Sequence, residues 1–173
     1  MSRESTIKRV ESDVASGDLG KARDRLHGLI ATYPDDVSLR PRLASIYWKL
    51  QYLHMAGCYW FLEENQTNES RQAVALFEKH CGGDPRIIWH HLKFRGDPET
   101  LPPYARARLD HVIDECKRKH GYYPRLRDGK TEFHSTRKQK VGIAVGGTFA
   151  ILVICIIVLG FIKGIINIIE WFW

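Results

Sequence analysis

An uncharged run of 22 residues, Val141 to Ile162, constrains this chain more than any other feature of its sequence. Seventeen of these residues are Ala, Val, Ile, Leu, Phe or Cys, four are Gly and one is Thr148. A helix of that length, at about 1.5 Å per residue, extends roughly 33 Å, which matches the hydrocarbon thickness of a bilayer. A soluble core would need a large surrounding protein to cover every face of such a helix. The run therefore predicts one C-terminal transmembrane helix.

The basic residues on either side of this run predict its orientation, because short loops rich in Lys and Arg stay on the cytoplasmic side. Six basic residues lie between Arg125 and Lys140, whereas one, Lys163, follows the run. We therefore expect a single-pass membrane protein with a cytoplasmic N-terminal part. Residues 122–140 would be a basic juxtamembrane linker and residues 163–173 a short interfacial tail. The first residues contain no apolar run typical of a signal peptide, which agrees with this expectation.

Positive charge is concentrated beside the predicted membrane helix. Residues 1–100 contain 14 Lys plus Arg and 14 Asp plus Glu, whereas residues 101–140 contain 11 against 5. Basic residues close to a membrane are attracted to anionic lipid headgroups by about 1 kcal/mol each. Because membrane topology already explains the basic segment, we expect the lipid bilayer, and no nucleic acid, as its partner.

Apolar residues recur at helical spacing through residues 1–121 and predict an all-α domain of about seven helices. Asp18 and Asp84 are predicted N-caps, and Gly121 is a predicted C-cap. The fourth helix is apolar nearly all round from Met55 to Leu62, so we expect it at the centre of the core. The predicted helices are 5–16, a segment from Asp18 to Tyr33, one from Asp36 to Leu50, Leu53 to Glu64, Ser70 to His80, a short one from Pro85, and Pro103 to His120.

Small and apolar residues recur at a fixed spacing across these helices. Gly17 and Asp18, with Ala22, Leu26 and Pro34 after them, resemble the second half of a tetratricopeptide repeat. The distance from Ala22 to Ala56 is 34 residues, the length of that repeat. The first-helix signature of the next unit is similar to Leu43, Ala44 and Tyr47, and a third set follows after only 17 residues, at Ala73, Phe77 and Pro85.

The resemblance implies a short superhelix of antiparallel helical hairpins that binds another protein on its concave face. The sequence of residues 22–47 also resembles an uncharacterised bacterial family of small repeat-containing proteins. This resemblance implies no activity. In the repeat family the first helix of each hairpin lines the concave face. By resemblance, the partner-binding groove would comprise Lys8, Glu11, Arg42, Ser45, Trp48 and Lys49. A competing interpretation is that Trp48 packs on the helix at 5–16 or 70–80.

Metal binding and catalysis both have weak support in the sequence. Cys116 and His120 stand one helical turn apart, and the other grouped candidates are His80, Cys81, His90 and His91. Structural zinc is typically bound by four ligands in close pairs, a pattern that is absent here. Neither a nucleophile elbow nor a phosphate-binding glycine loop occurs. We therefore expect no metal, no cofactor and no enzymatic activity, and isolated reduced cysteines.

Two glycine pairs in the membrane segment leave a second hypothesis open. Gly142 and Gly146, and likewise Gly160 and Gly164, have the four-residue spacing that allows close packing of membrane helices. Ordinary membrane-helix composition is the competing explanation. The first functional hypothesis is a membrane-anchored adaptor for protein–protein interaction. The alternative is a membrane-acting effector, or its inhibitor, whose homo-oligomeric span perturbs the bilayer.

Overall fold

The computed structural model describes residues 2–64, 66–127, 130–135, 151–154, 156–160 and 163. The chain divides into two compact units, Met1–His134 and Ser135–Trp173. The described part is mostly helical, as expected from the sequence. Its α-helices are α1 (Arg3–Ala15), α2 (Leu19–Thr32), α3 (Leu39–Lys49), α4 (Leu53–Trp60), α5 (Asn68–His80), α6 (Pro85–Leu92) and α7 (Pro103–His120). A 3₁₀ turn (Pro98–Thr100) precedes α7, and strands β1 (Tyr122–Arg127) and β2 (Lys130–Ser135) follow it.

The predicted helix caps are confirmed. The side chain of Asp18 accepts a hydrogen bond from the backbone N–H of Lys21 at 3.3 Å and so caps α2. Asp84 likewise accepts from the backbone N–H of Arg86 at 2.9 Å at the start of α6. Gly121 ends α7 with a φ of 71°, a left-handed conformation that glycine adopts without steric cost.

Helices that are neighbours in sequence also pack together in space. Contacts join α1 to α2, α2 to α3, α3 to α4, α4 to α5, and α6 to α7. The most extensive contact is between α4 and α5, where Gly57 lies so close to the backbone of Ala73 that a Cβ atom would overlap it. Residues 56–62 are all buried, so the predicted central position of α4 is confirmed.

The fourth helix is shorter than predicted. It ends at Trp60, whereas the apolar pattern predicts a helix to Glu64. Phe61 and Leu62 remain buried after the helix ends, which explains why hydrophobicity alone overestimates its length. The Phe61 carbonyl accepts a hydrogen bond from Nη1 of Arg108 on α7, a contact that no local pattern contains.

Much of the segment predicted to be a linker forms a β-hairpin instead. Strands β1 and β2 pair with each other after α7. The indole Nε1 of Trp89 on α6 donates to Oγ1 of Thr131 at 3.3 Å, and Nη1 of Arg86 donates to the Tyr122 hydroxyl at 3.1 Å. The rings of Tyr122 and Phe133 also meet, with centroids 5.7 Å apart. Residues 122–127 and 130–135 of the segment predicted as a linker are therefore strands, and the hydroxyl groups of Tyr122 and Thr131 bond to α6.

In the second unit, the described residues 151–154, 156–160 and 163 are helical. Their side chains are exposed and, apart from Gly160 and Lys163, apolar. None of the helices in the described ranges has both the length and the hydropathy that a membrane crossing requires. Residues 141–150 of the predicted span lie outside the described residues. The same holds for Gly142, Gly146, Gly164 and the tail after Lys163.

Candidate functional site

The residues of the predicted groove lie on two helices, α1 and α3. Nη1 of Arg42 donates to Oε1 of Glu11 at 3.2 Å, and this exposed ion pair joins the two helices. Lys8, Ser45 and Lys49 are also exposed. The hydroxyl of Ser45 donates to the Pro41 carbonyl of its own helix. The structure thus brings Glu11 and Arg42 together.

Trp48 differs from the rest of this set because its side chain is partly buried against the core. Its ring lies near Trp60 of α4, with centroids 5.9 Å apart and planes tilted by 55°. Packing of Trp48 on α1 or α5 is the alternative to exposure that the sequence leaves open. The aromatic partner identified here belongs to α4 instead.

A group of histidines lies where α4, α5 and α6 meet. The rings of His54 and His80 stack with centroids 4.6 Å apart, and His91 is 5.9 Å from His80 and 5.8 Å from His90. Burial lowers the pKa of His54 and of His91, and neighbouring histidines lower both further. Across the described ranges, no group of three or more His, Cys, Asp or Glu is arranged to hold a metal ion.

The cysteine and histidine considered as a mixed metal pair have separate roles. Cys116 is buried in the core. Nε2 of His120 lies 3.1 Å from Oδ1 of Asp84, the cap of α6. Burial also raises the pKa of Cys58 and of Cys81 to about 11, so both are protonated thiols at neutral pH. These three thiols therefore have the properties of packing residues.

A buried arginine, Arg40, is the most unusual charged group in the described part of the chain. Only 3% of it is exposed. Both of its hydrogen bonds to described residues come from Nη2, which donates to the Leu92 carbonyl at 2.9 Å and to the Cys58 carbonyl at 3.3 Å. Its Nε has no partner among the described residues. Burial lowers the pKa of this guanidinium.

Two helix ends explain how the positive charge is accommodated. Leu92 is the last residue of α6, and Cys58 lies in the last turn of α4. Carbonyl groups at helix C-termini carry the negative end of the helix dipole, so they stabilise a cation. The guanidinium also lies over the ring of Tyr59, with 5.1 Å from its central carbon to the ring centroid.

A pocket of about 250 Å³ opens beside Arg40. Its walls come from the start of α3, the end of α4 and the start of α7. Burial raises the pKa of Glu63 and of Tyr104, which belong to these walls. The complete lining is Val37, Ser38, Arg40, Pro41, Tyr59, Leu62, Glu63 and Tyr104.

Local sequence patterns do not predict this pocket, although they contain one signal of it. Arg40 stands three residues before Leu43 and seven before Tyr47, so it lies on the buried stripe of α3. A charged residue on an apolar stripe is unusual enough to mark a buried polar site. The walls contributed by Glu63 and Tyr104 have no such signal, because they reach the pocket only through helix packing.

Comparison with known proteins gives one match. The model of a family described as a family of unknown function (DUF6584) matches residues 1–170. No curated protein and no solved structure matches the chain significantly.

Proposed function

The chain belongs to this family of unknown function, and we propose that it is a membrane-tethered adaptor whose helical unit binds another protein. The observation that carries the proposal is the exposed ion pair between Glu11 of α1 and Arg42 of α3. These are the first helices of two consecutive hairpins, and they present an exposed polar surface. A helical hairpin array binds partners by such surfaces without chemistry of its own.

The packing order supports the resemblance to tetratricopeptide repeats. Each of the helices α1 to α4 packs on the next one along the chain, as stacked hairpins do. The second helices, α2 and α4, carry the small residues Ala22 and Ala56, both fully buried. Small residues at these positions allow two helices to cross closely, which is their role in the repeat family.

The charge of the surface indicates the chemistry of its partner. Lys8, Arg42 and Lys49 are cationic, and Glu11 is the anionic member of the set. The excess of positive charge favours an acidic protein segment, and complementary charge increases the rate and specificity of such binding. Trp48 lies next to this surface and adds an apolar contact at its edge.

Membrane tethering draws its support from the second unit and from the basic flank. Consecutive apolar residues at 151–154 and 156–159 are exposed, so every side of this helical stretch presents hydrocarbon to its surroundings. Large exposed apolar surfaces are typical of membrane or protein contacts. The six basic residues between Arg125 and Lys140 favour a cytoplasmic helical unit and contact with anionic headgroups.

The adaptor proposal is tested by site-specific photocrosslinking of the full-length chain in its native membrane. A photoreactive amino acid replaces Ser45 on the proposed surface or, as the matched control, Ala75, which is exposed on α5. We expect a discrete crosslinked product from position 45 whose partner peptide, identified by mass spectrometry, is acidic. The double substitution Lys8→Glu with Lys49→Glu should abolish this product.

A second control has the same change in net charge at another surface. Arg71→Glu with Lys79→Glu alters two exposed residues of α5 and should leave the crosslink from position 45 intact. Equal crosslinking from positions 45 and 75, or equal loss in both charge-reversed variants, would contradict the proposed surface.

The cytoplasmic location is tested by thiol labelling of a Ser2→Cys variant in intact cells. Cys58, Cys81 and Cys116 are buried, so wild-type protein provides the background. An impermeant maleimide should label the variant only after permeabilisation. Labelling in intact cells would place the N-terminal unit outside and contradict the predicted orientation.

The second candidate function is a membrane-acting effector or its inhibitor. It is favoured by Gly160, which lies in the exposed helical stretch with open space where a side chain would project. Close packing of two spans at such a glycine would produce a homo-oligomer. Expression of the full-length chain should then depolarise cells, and Gly160→Leu, or bulky residues at positions 142 and 146, should prevent this. An adaptor should be harmless in the same assay.

A further inference from the structure

The two helix carbonyls bonded to Arg40 do not use all of its hydrogen-bond donors. A buried guanidinium is normally paired with an acidic group, and it has five N–H donors to satisfy. Within the described ranges Arg40 has no carboxylate partner, and its two hydrogen bonds use one nitrogen, Nη2. Nε has no partner among the same described residues. The helix carbonyls therefore explain only part of the donor capacity.

The pocket beside Arg40 adds further positive potential. The residues Arg40 and Pro41 lie in the first turn of α3, and Tyr104 lies in the first turn of α7. Neither helix has a side-chain hydrogen bond capping its N-terminus. The N-terminal ends of helices carry a partial positive charge that favours anions. Leu39 and Arg40 of α3 already donate their backbone N–H groups to the carbonyls of Asp36 and Val37, and Pro41 has no N–H group. The start of α7 is therefore the helix end that adds to the positive charge of Arg40 at this pocket.

The other walls restrict what kind of anion fits. Val37, Pro41 and Leu62, together with the rings of two tyrosines, give the pocket an apolar part beside its polar groups, and the volume is about 250 Å³. Pockets of this kind hold a small apolar body oriented by a few polar groups. Glu63 also belongs to the wall. Its acidic group disfavours a doubly charged phosphate more than a singly charged carboxylate, because repulsion scales with the charge.

We propose that this pocket binds a small carboxylic acid with an apolar or aromatic body, its carboxylate paired with the guanidinium of Arg40. The planar guanidinium matches the geometry of a carboxylate. The rings of Tyr59 and Tyr104 contact the apolar body. This ligand site is independent of the α1–α3 surface, so neither proposal depends on the other.

The test is calorimetric titration of the full-length protein with defined probes. Benzoate is the carboxylate probe, benzamide its neutral match of similar shape, and phenyl phosphate the dianionic match. We expect saturable binding of benzoate, at least tenfold weaker binding of benzamide, and phenyl phosphate weaker than benzoate. Arg40→Gln should abolish benzoate binding, with its helical content checked by circular dichroism.

Because Arg40→Gln removes a buried group and can unfold the domain, a second variant gives an independent result. Glu63→Gln removes the acidic charge from the wall and should tighten benzoate binding severalfold. Glu64→Gln, an exposed neighbour outside the pocket lining, is the matched control and should leave the affinity unchanged. Absence of saturable benzoate binding, equal binding of benzamide, preference for phenyl phosphate, or no effect of Glu63→Gln would each overturn the proposal.

Discussion

The distance between α4 and α5 depends on the absence of a side chain at Gly57. A Cβ atom at Gly57 would overlap the backbone carbonyl of Ala73 and would lie 2.9 Å from Cβ of Phe77. Phe77 is among the most buried side chains of the described part. The close approach of α4 and α5 therefore requires a residue without a side chain at position 57.

Gly57→Ala should lower the free energy of unfolding by about 3 kcal/mol, because the added methyl group forces α4 and α5 apart in a packed core. Urea denaturation followed by circular dichroism measures the change. The matched control is Gly28→Ala on α2, where nothing lies within 4 Å of the added Cβ. That variant should be more stable than wild type by about 0.5–1 kcal/mol, because alanine favours a helix. Unchanged stability of Gly57→Ala would mean that the two helices do not approach as described.

Among the elements, α6 makes connections that its eight residues would not suggest. Its cap, Asp84, lies against His120 of α7, and Arg86 and Trp89 bond to the hairpin. Its last carbonyl, at Leu92, accepts from Arg40. The pKa of Asp84 lies well below its usual range, mainly because Arg86 donates hydrogen bonds to its carboxylate. Helix α6 therefore links the N-terminal helices to α7 and to the β-hairpin of the same unit.

The contact of α4, α5 and α6 at the histidine cluster predicts a pH dependence of stability. The groups facing one another there are His54, His80, His90, His91 and Lys93. The pKa values of His54 and His91 lie below the ordinary 6.5 in the folded state. As pH falls, these histidines therefore bind protons at a higher pH in the unfolded chain than in the folded protein. Stability is fully present above pH 6.5 and is lost progressively as pH decreases below that value.

Urea unfolding at pH 7.5, 6.5, 6.0 and 5.5 measures this loss. The double substitution His54→Gln with His91→Gln should reduce the slope of stability against pH between 6.5 and 5.5. His27 on α2 is also partly buried with a lowered pKa, so it contributes a remaining slope. His27→Gln is the control from outside the cluster. An identical slope in wild type and the double variant would refute the role of the cluster.

On the scale of the whole molecule, the helical unit includes the hairpin through His134. The sequence pattern predicts a domain that ends at residue 121. Hydrogen bonds from Trp89 to Thr131 and from Arg86 to Tyr122 join the hairpin to α6. Lys117 of α7 also lies over the ring of Tyr123, with its Nζ 4.9 Å from the ring centroid. The hairpin therefore contributes to the stability of the unit.

Two fragments test this contribution. Residues 1–121 should fold into a soluble helical domain, and residues 1–135 should melt at a temperature higher by roughly 5 °C, since each added hydrogen bond contributes about 1 kcal/mol. Circular dichroism at increasing temperature measures both. Thr131→Val in the longer fragment removes the partner of Trp89. Its melting temperature should therefore fall part of the way towards that of residues 1–121. Equal melting temperatures of the two fragments would show that the hairpin is not integral to the unit.

Local sequence determined the helices of this protein and most of their ends. The 3.6-residue recurrence of apolar residues, the caps Asp18 and Asp84 and the terminal Gly121 act within about four residues of chain. Their effects can therefore be read without knowledge of the packing. The bounds of α7 were predicted completely, from Pro103 to His120. The membrane segment and its orientation remain predictions from composition and charge.

Tertiary structure alone decided what lies beside Arg40 and where the strands go. Arg40 meets the carbonyls of residues 18 and 52 positions away along the chain. Trp89 meets a hydroxyl 42 positions away. The same holds for the pairing of Trp48 with Trp60 and for the grouping of histidines from three helices. Contacts of this kind depend on the angles and distances at which helices pack, and those follow from the fit of all buried side chains together rather than from any one stretch of sequence.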